Sequence, residues 1–161
     1  MEILYYLALS MFILYLSVTY LVFGKSNSIS HTVYQWGILD QSLTMFFTIF
    51  CWSVAVPLLI YWIDYSPTDW NFIPFIAATG LCFVGASPMF MSEEMERKVH
   101  VVATIVCASA AYLWTLMYGN YIIGVSAIIL SLVLYLILKK ENKLYWLEII
   151  AFANVFIQLK L

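Results

Sequence analysis

Long runs of apolar residues, separated by short segments with charged or turn-forming residues, dominate the pattern of the chain. Six runs are long enough for helices that cross a bilayer, because about 20 apolar residues cover its ~30 Å hydrocarbon core. The runs lie at about 3–23, 42–63, 73–91, 100–119, 121–138 and 144–161. This pattern predicts an all-α, polytopic bundle of six transmembrane helices with short loops, which forms a single transmembrane domain over residues 1–161.

The fourth and fifth runs form one apolar stretch that is interrupted only by the sequence Tyr118-Gly119-Asn120-Tyr121. Gly and Asn tolerate the left-handed backbone conformation of tight reversals, so we expect a helical hairpin here. The alternative is one helix from Val101 to Leu138, about 57 Å long at 1.5 Å per residue. Such a helix has roughly twice the length that the hydrocarbon core accommodates.

The basic residues gather on one side of the predicted bundle. With six spans, one face carries six of the seven basic residues, and only Lys160 lies at the other face: the six are Lys25, Arg97, Lys98, Lys139, Lys140 and Lys143. Because cytoplasmic loops carry an excess of Lys and Arg, this split predicts cytoplasmic basic loops and an N-out, C-out orientation. Five spans would divide the same residues between both faces.

Composition and charge fit a protein whose solvent is lipid. Apolar residues make up 65% of the chain and charged residues 10%, and the net charge is -2. Soluble proteins have about 45–50% apolar and 25% charged residues, so a soluble enzyme is excluded. We expect membrane lipids as partners and no nucleic acid, and the sequence leaves a homo-oligomer possible.

Small residues recur every four positions in the later runs, which predicts close helix contacts, since helices in lipid approach at small side chains. We expect the third and fourth helices to face each other through these positions, and the fifth to add a similar stripe. The residues are Ala78, Cys82 and Ala86, then Ala103, Cys107 and Ala111, then Gly124, Ala127 and Ser131. The cysteines are interpreted as packing residues.

The segment that leads into the fourth helix contains the best candidates for catalysis. If this helix begins at Ser92 or Glu93, Glu96 and His100 lie one turn apart on one face, as an acid–base pair requires. The structural alternative is a helix cap, in which Ser92 pairs with free N–H groups and the acidic residues face the positive end of the helix dipole.

Candidate ligand-binding residues lie at the same predicted face: Ser28, Ser30, Tyr34, Lys98 and Glu148. Glu148 is the only acidic residue within a predicted span, and a carboxylate in the membrane costs about 3 kcal/mol or more. It should therefore be paired, protonated or turned toward a polar cavity, with Lys98, Lys140 or His100 as partner. The alternative is a side chain that extends to the interface. With only two histidines, no metal site and no cofactor are predicted.

Three segments resemble a family of small bacterial polytopic integral membrane proteins for which no activity is known. They are Ser28-Ile29-Ser30-x-Thr32-x-Tyr34, Phe83-Val84-Gly85-Ala86-Ser87-Pro88 and Glu96-x-Lys98-Val99-His100. The resemblance covers most of the chain. It implies a multi-pass protein of the bacterial inner (cytoplasmic) membrane and directs attention to the Ser, Glu and His positions of the basic side.

The sequence leaves three functions open and does not decide whether the protein is an enzyme. The favoured reading is a lipid-headgroup or small-ligand site at the cytoplasmic face, where basic loops would hold phosphate and Glu96 and His100 would act as acid and base. The second is a transporter or channel with a polar path past Glu148 and His100. The third is a non-catalytic assembly or regulatory subunit in the membrane.

Overall fold

The computed structural model describes the backbone of residues 1–161 and the side chains of residues 1–139 and 143–161. The chain forms seven α-helices: α1 Glu2–Phe23, α2 Thr32–Leu39, α3 Met45–Tyr65, α4 Phe72–Gly85, α5 Glu94–Met117, α6 Tyr121–Ile137 and α7 Lys140–Gln158. Short 3₁₀ turns at Gln41–Thr44 and Thr68–Trp70 lead into α3 and α4. The predicted all-α fold is confirmed.

Three helical segments are long and apolar enough to cross a membrane: Glu2–Phe23, Gln41–Tyr65 and Glu94–Met117. The other long helices depart from the expected spans. Helix α6 is apolar but has 17 residues, and α4 has 14. At 1.5 Å per residue they are about 26 and 21 Å long, short of a ~30 Å hydrocarbon core.

The third apolar run does not continue as a helix to residue 91, because α4 ends at Gly85. Pro88 follows closely, and the residue before a proline disfavours helical geometry. Side chains of α3 satisfy the last carbonyls of α4: Thr48 Oγ1 donates to the Gly85 oxygen at 2.7 Å, and Trp52 Nε1 donates to the Cys82 oxygen at 3.1 Å. The early end of α4 therefore leaves these carbonyl groups paired.

The segment 24–41, expected as a loop, contains the short helix α2. This helix ends at Leu39, and the carboxylate of the next residue, Asp40, accepts hydrogen bonds at 2.7 Å from the hydroxyl and the N–H of Ser42. These bonds, that from the Ser42 hydroxyl first, hold the pKa of Asp40 below its usual value. Asp40 thus caps the turn that enters α3.

The predicted hairpin between the fourth and fifth runs is confirmed, and the single long helix is wrong, since α5 ends at Met117 and α6 begins at Tyr121. Its mechanism differs from the expectation, because neither Gly119 nor Asn120 has a positive φ. Asn120 instead caps α6 by accepting the Ile122 N–H at 3.1 Å. Gly119 provides space: a Cβ atom there would lie 2.5 Å from Gln158 Oε1 of α7.

Helices α4 and α5 pack together most extensively, as their small residues predict. The closest approach is at Gly80, however, where a Cβ atom would lie 2.9 Å from Cys107 Cβ and 3.0 Å from the Ala103 oxygen. Ala86, the last residue of the predicted α4 stripe, is exposed beyond the end of the helix. The pairing and the α5 positions Ala103 and Cys107 were predicted correctly, whereas the α4 position, Gly80, lies outside the predicted stripe.

Hydrogen bonds show which connections share an end of the bundle. At the end that we call the basic face, formed by residues 24–44, 86–100 and 138–148, the Tyr145 N–H donates to the Asn27 oxygen at 3.2 Å. At the opposite end, which we call the terminal face, the Tyr5 hydroxyl donates to the Phe156 oxygen at 3.0 Å. The two chain termini therefore lie at the same end, and Lys25 and Lys98 lie at the other.

We predict that Gly80→Ala lowers the free energy of unfolding by about 1–3 kcal/mol, because the added methyl group pushes α4 away from the backbone of α5. The matched control is Gly37→Ala in α2, where the nearest atom to the new Cβ is the Thr44 methyl carbon at 3.2 Å, on a side chain that can rotate. Chemical unfolding in detergent micelles measures both. Equal stability of the two variants would contradict the close approach at Gly80.

Candidate functional site

A cavity of about 440 Å³ lies inside the bundle, between α3, α4, α5, α6 and α7. Its wall is largely apolar and includes Phe50, Leu58, Leu81 and Phe152. Binding sites for small molecules are typically mostly apolar cavities of about 300–1,000 Å³ with a few polar groups. The cavity has the size and lining of such a site.

Small side chains create this open volume. The wall contains six alanines on four helices: Ala55 on α3, Ala77 and Ala78 on α4, Ala108 and Ala111 on α5, and Ala151 on α7. In the sequence, recurring small residues predicted tight helix contacts. Small residues of α4 and α5 do form a close contact at Gly80, while neighbouring small residues on the same helices face the cavity.

Glu148 and Ser30 form the polar end of the cavity, at the basic face. Glu148 Oε2 accepts the backbone N–H of Ile29 at 2.5 Å, so the carboxylate ties the segment before α2 to α7. Ile29 and Ser30 thereby line this end of the cavity. The hydroxyl and the backbone N–H of Ser30 are further hydrogen-bond donors beside the Glu148 carboxylate.

The rest of the wall offers few free polar groups. Halfway along, the Tyr112 hydroxyl lies 3.5 Å from the Ser131 hydroxyl, and the Thr104 hydroxyl donates to the His100 oxygen of its own helix at 2.8 Å. Toward the terminal face the lining consists of apolar and aromatic groups, among them Leu58, Trp62 and Val155, and the indole Nε1 of Trp62 is buried there without a partner. The Glu148 carboxylate nevertheless makes the end at the basic face the more polar one.

Two of the ionic partners that the sequence suggested for Glu148, Lys98 and His100, are engaged elsewhere in the described part of the chain. Lys98 forms an ion pair with Glu94 at 2.8 Å, and both side chains are more than 70% exposed. His100 stacks on Phe90, with ring centroids 4.0 Å apart. Lys140, the third expected partner, lies outside the described side chains. The carboxylate is instead stabilised by a backbone N–H, and it faces the cavity rather than extending to the interface.

The two candidate catalytic residues contribute to the packing of the loop between α4 and α5. Glu96 Oε2 accepts the Met89 N–H at 2.7 Å, and His100 is 6% exposed beneath Phe90. Within the described part of the chain, no hydrogen bond joins Glu96 to His100, and His100 Nδ1 is buried without a partner. Neither residue lines the cavity.

The expected cap at Ser92 is also different. The residue that precedes α5 is Glu93, with no side-chain capping bond, and the Ser92 hydroxyl donates to the Met89 oxygen at 3.1 Å. Glu94 and Glu96 do lie in the first turn of α5, where acidic side chains are favourable. The acidic residues therefore lie where the helix dipole favours them, as the structural alternative expects, whereas Ser92 does not cap the helix.

The remaining candidates stabilise local structure. Ser28 Oγ accepts the His31 N–H at 2.9 Å at the start of α2, and the Tyr34 hydroxyl accepts the Met91 N–H at 2.6 Å. The structure thus brings Ser30 and Glu148 together at the cavity, and Tyr34 and His100 together around Phe90. Lys98 lies apart from both groups.

Sequence reasoning missed the wall of the cavity, including Cys51, Cys107, Tyr112 and Ser131. The available signal was the density of small residues on the central helices. This signal is ambiguous, because small side chains permit either close packing or open space. Which of these occurs depends on how the ends of the helices are held.

Comparison with known proteins gives no family for this chain. No protein-family model, curated protein or solved structure matches it. The resemblance to small bacterial membrane proteins therefore stays an expectation, and the functional argument rests on the geometry of the cavity and of the groups around it.

We predict that Glu148→Leu accelerates amide hydrogen exchange in segment 26–31 roughly ten- to hundredfold, because hydrogen bonds to charged groups contribute about 1.5–3 kcal/mol. Glu148→Gln keeps an oxygen that accepts the Ile29 N–H, so its exchange should stay closer to that of the wild type. Mass spectrometry of peptides from this segment provides the measurement. Unchanged exchange in Glu148→Leu would show that the carboxylate does not hold the segment.

For His100, we predict that replacement by Phe lowers the thermal unfolding midpoint less than replacement by Ala, since Phe keeps the stacking on Phe90 and removes the unpartnered Nδ1, but loses the imidazole contacts with the backbone of Val84 and Ser87. His100→Ala should cost about 3 kcal/mol through the lost packing. Thermal unfolding of both variants in micelles tests this. A large loss of stability in His100→Phe would mean that the imidazole makes an essential polar contact.

Proposed function

We propose that this protein is a multi-pass integral membrane protein that binds the apolar chain of an amphiphile inside its helical bundle. The ligand's polar end lies at the basic face, beside Glu148 and Ser30. The observation that carries the proposal is the cavity of about 440 Å³, which has an apolar wall and a polar group at one end. An amphiphile has the same distribution of polarity along its length.

Placement in a membrane is supported by the exposed side chains as well as by the three long apolar helices. Large apolar residues are exposed on helices at both ends of the chain, including Ile3 (77%), Leu21 (82%) and Leu136 (71%). In water, contiguous apolar surface of this kind favours aggregation. In lipid it is the expected exterior.

We further propose six membrane crossings, by α1, α3, α4, α5, α6 and α7. The alternation of connections between the two ends of the bundle supports this topology, and the shorter α4 and α6 would reach the interfaces through their flanking turns. By the positive-inside rule the basic face is cytoplasmic and both termini are outside, which fits a bacterial inner membrane.

Binding is favoured over transport and catalysis by what lines the cavity. A conducting path requires polar groups along its length, whereas Leu58, Trp62 and Val155 line the end toward the terminal face. Acid–base catalysis requires groups within reach of the ligand, whereas Glu96 and His100 are outside the wall.

The experiment compares lipids retained by purified protein in native mass spectrometry. Ala151→Phe places a large side chain into the cavity wall, and Ala153→Phe makes the same change two residues along α7, at a position outside the wall. We expect the wild type and Ala153→Phe to retain an amphiphile, and Ala151→Phe to lose most of it because the volume is filled.

Thermal unfolding midpoints of both variants serve as the control for folding. Equal retention by Ala151→Phe and the wild type would contradict binding in this cavity, as would the absence of any retained amphiphile from folded wild-type protein.

A further inference from the structure

The charge at the mouth of the cavity bears on the chemistry of the ligand's head group. Among the described residues that line the cavity, Glu148 is the one with a carboxylate, and no lysine or arginine is present. Ser30 adds a hydroxyl group beside it. A ligand whose chain fills the apolar part thus places its head group against an acid.

The described cationic side chains near this end are engaged elsewhere. Lys25 Nζ lies 5.3 Å from the ring centroid of Trp146, and Lys143 Nζ lies 4.3 Å from that of Tyr135. Arg97 donates to the carbonyl oxygens of the loop after α4, at 3.4 Å. None of these three cations lines the cavity, so Lys25, Lys143 and Arg97 do not form a phosphate site at the described wall.

The carboxylate has capacity for a second partner. Its Oε2 atom accepts the Ile29 N–H, and the hydroxyl and backbone N–H of Ser30 are further donors beside it, whereas the two oxygens of a carboxylate offer about four acceptor sites. A carboxylate accepts several hydrogen bonds, and those from a cationic donor are roughly twice as strong as those between neutral groups. A head group that carries N–H donors and a positive charge completes this arrangement, whereas an anionic head group meets a like charge in a low-dielectric site.

We propose that the ligand of this cavity is a single apolar chain that ends in a protonated amine, which donates to Glu148 Oε1 and to the Ser30 hydroxyl. This inference rests on the proposed function and adds its ligand class. The lining of α3 extends from Cys51, which lies near Glu148, to Trp62, which corresponds to roughly 16 Å at 1.5 Å per residue. A dodecyl chain is therefore a suitable probe.

The experiment uses the full-length protein in lipid nanodiscs with an equimolar mixture of dodecylamine, dodecanol, dodecanoate and dodecyl phosphate. Native mass spectrometry measures the occupancy of each compound on the wild type, Glu148→Gln and Ala151→Phe. All variants are compared in the same lipid, so differences in partitioning of the probes into the bilayer cancel. Glu148→Gln keeps an acceptor for the Ile29 N–H and removes the charge.

We expect the ratio of dodecylamine to dodecyl phosphate occupancy to be at least about tenfold higher on the wild type than on Ala151→Phe. Glu148→Gln should lower this amine-to-phosphate ratio about tenfold and leave dodecanol occupancy unchanged. If Glu148→Gln does not fold, the ratio on the wild type, normalised to Ala151→Phe, decides the question alone.

Two results would overturn the inference in distinguishable ways. Retention of the phosphate or carboxylate as well as the amine, with all of them lost in Ala151→Phe, would leave the cavity as a binding site and refute the amine. A ratio that Glu148→Gln leaves unchanged would also refute the amine. Equal occupancy of every probe on the wild type and Ala151→Phe would refute the proposed function itself.

Discussion

Backbone N–H and C=O groups at the ends of helices and in loops have no partner within a helix, and a buried group that stays unpaired costs free energy. In this protein, side chains from other segments complete these bonds at both ends of the bundle. Glu148 does so for Ile29, Glu96 for Met89, Tyr34 for Met91, Gln158 for Asn120, Tyr5 for Phe156 and Tyr61 for Leu159. The other features of the structure follow from where these bonds fix the helices.

Helix α7 shows the consequence most clearly. At its middle, Glu148 holds the segment before α2, and near its end the Gln158 amide pairs with both the N–H and the carbonyl of Asn120, at 2.6 and 2.8 Å. Asn154 adds a bond to the Thr115 hydroxyl of α5 at 3.1 Å. The helix is thus fixed at its middle and at its end, and the small residue Ala151 between these points lines open space instead of drawing the helices together. We interpret the cavity as a product of this bracing.

The sequence predicted the helical class and the hairpin at residues 118–121, because long apolar runs and turn residues report on local structure. It also predicted that α4 and α5 pair. It could not predict that Glu96 and Glu148 bond to backbone groups, since these contacts join segments up to 119 residues apart. The sequence pattern places acids and bases at the same face but does not say which way each side chain turns.

The cavity was missed for a related reason. Ala108 and Ala111 have the spacing of a packing stripe, and only the positions of α6 and α7 decide whether that stripe meets another helix or open volume. Similarly, the cluster of basic residues suggested an anion site, whereas Lys25 and Lys143 lie on aromatic rings outside the wall. Net charge at one end of a bundle is thus a weaker guide to ligand chemistry than the charge that lines a cavity.

A crystal structure of the protein grown from a lipidic mesophase tests the central claim most directly, because it would show what occupies the interior when lipid is present. We predict elongated density from Glu148 and Ser30 toward Trp62, enclosed by α3, α5 and α7. Helices that close together at Ala108, Ala111 and Ala151 and leave no such volume would contradict the account.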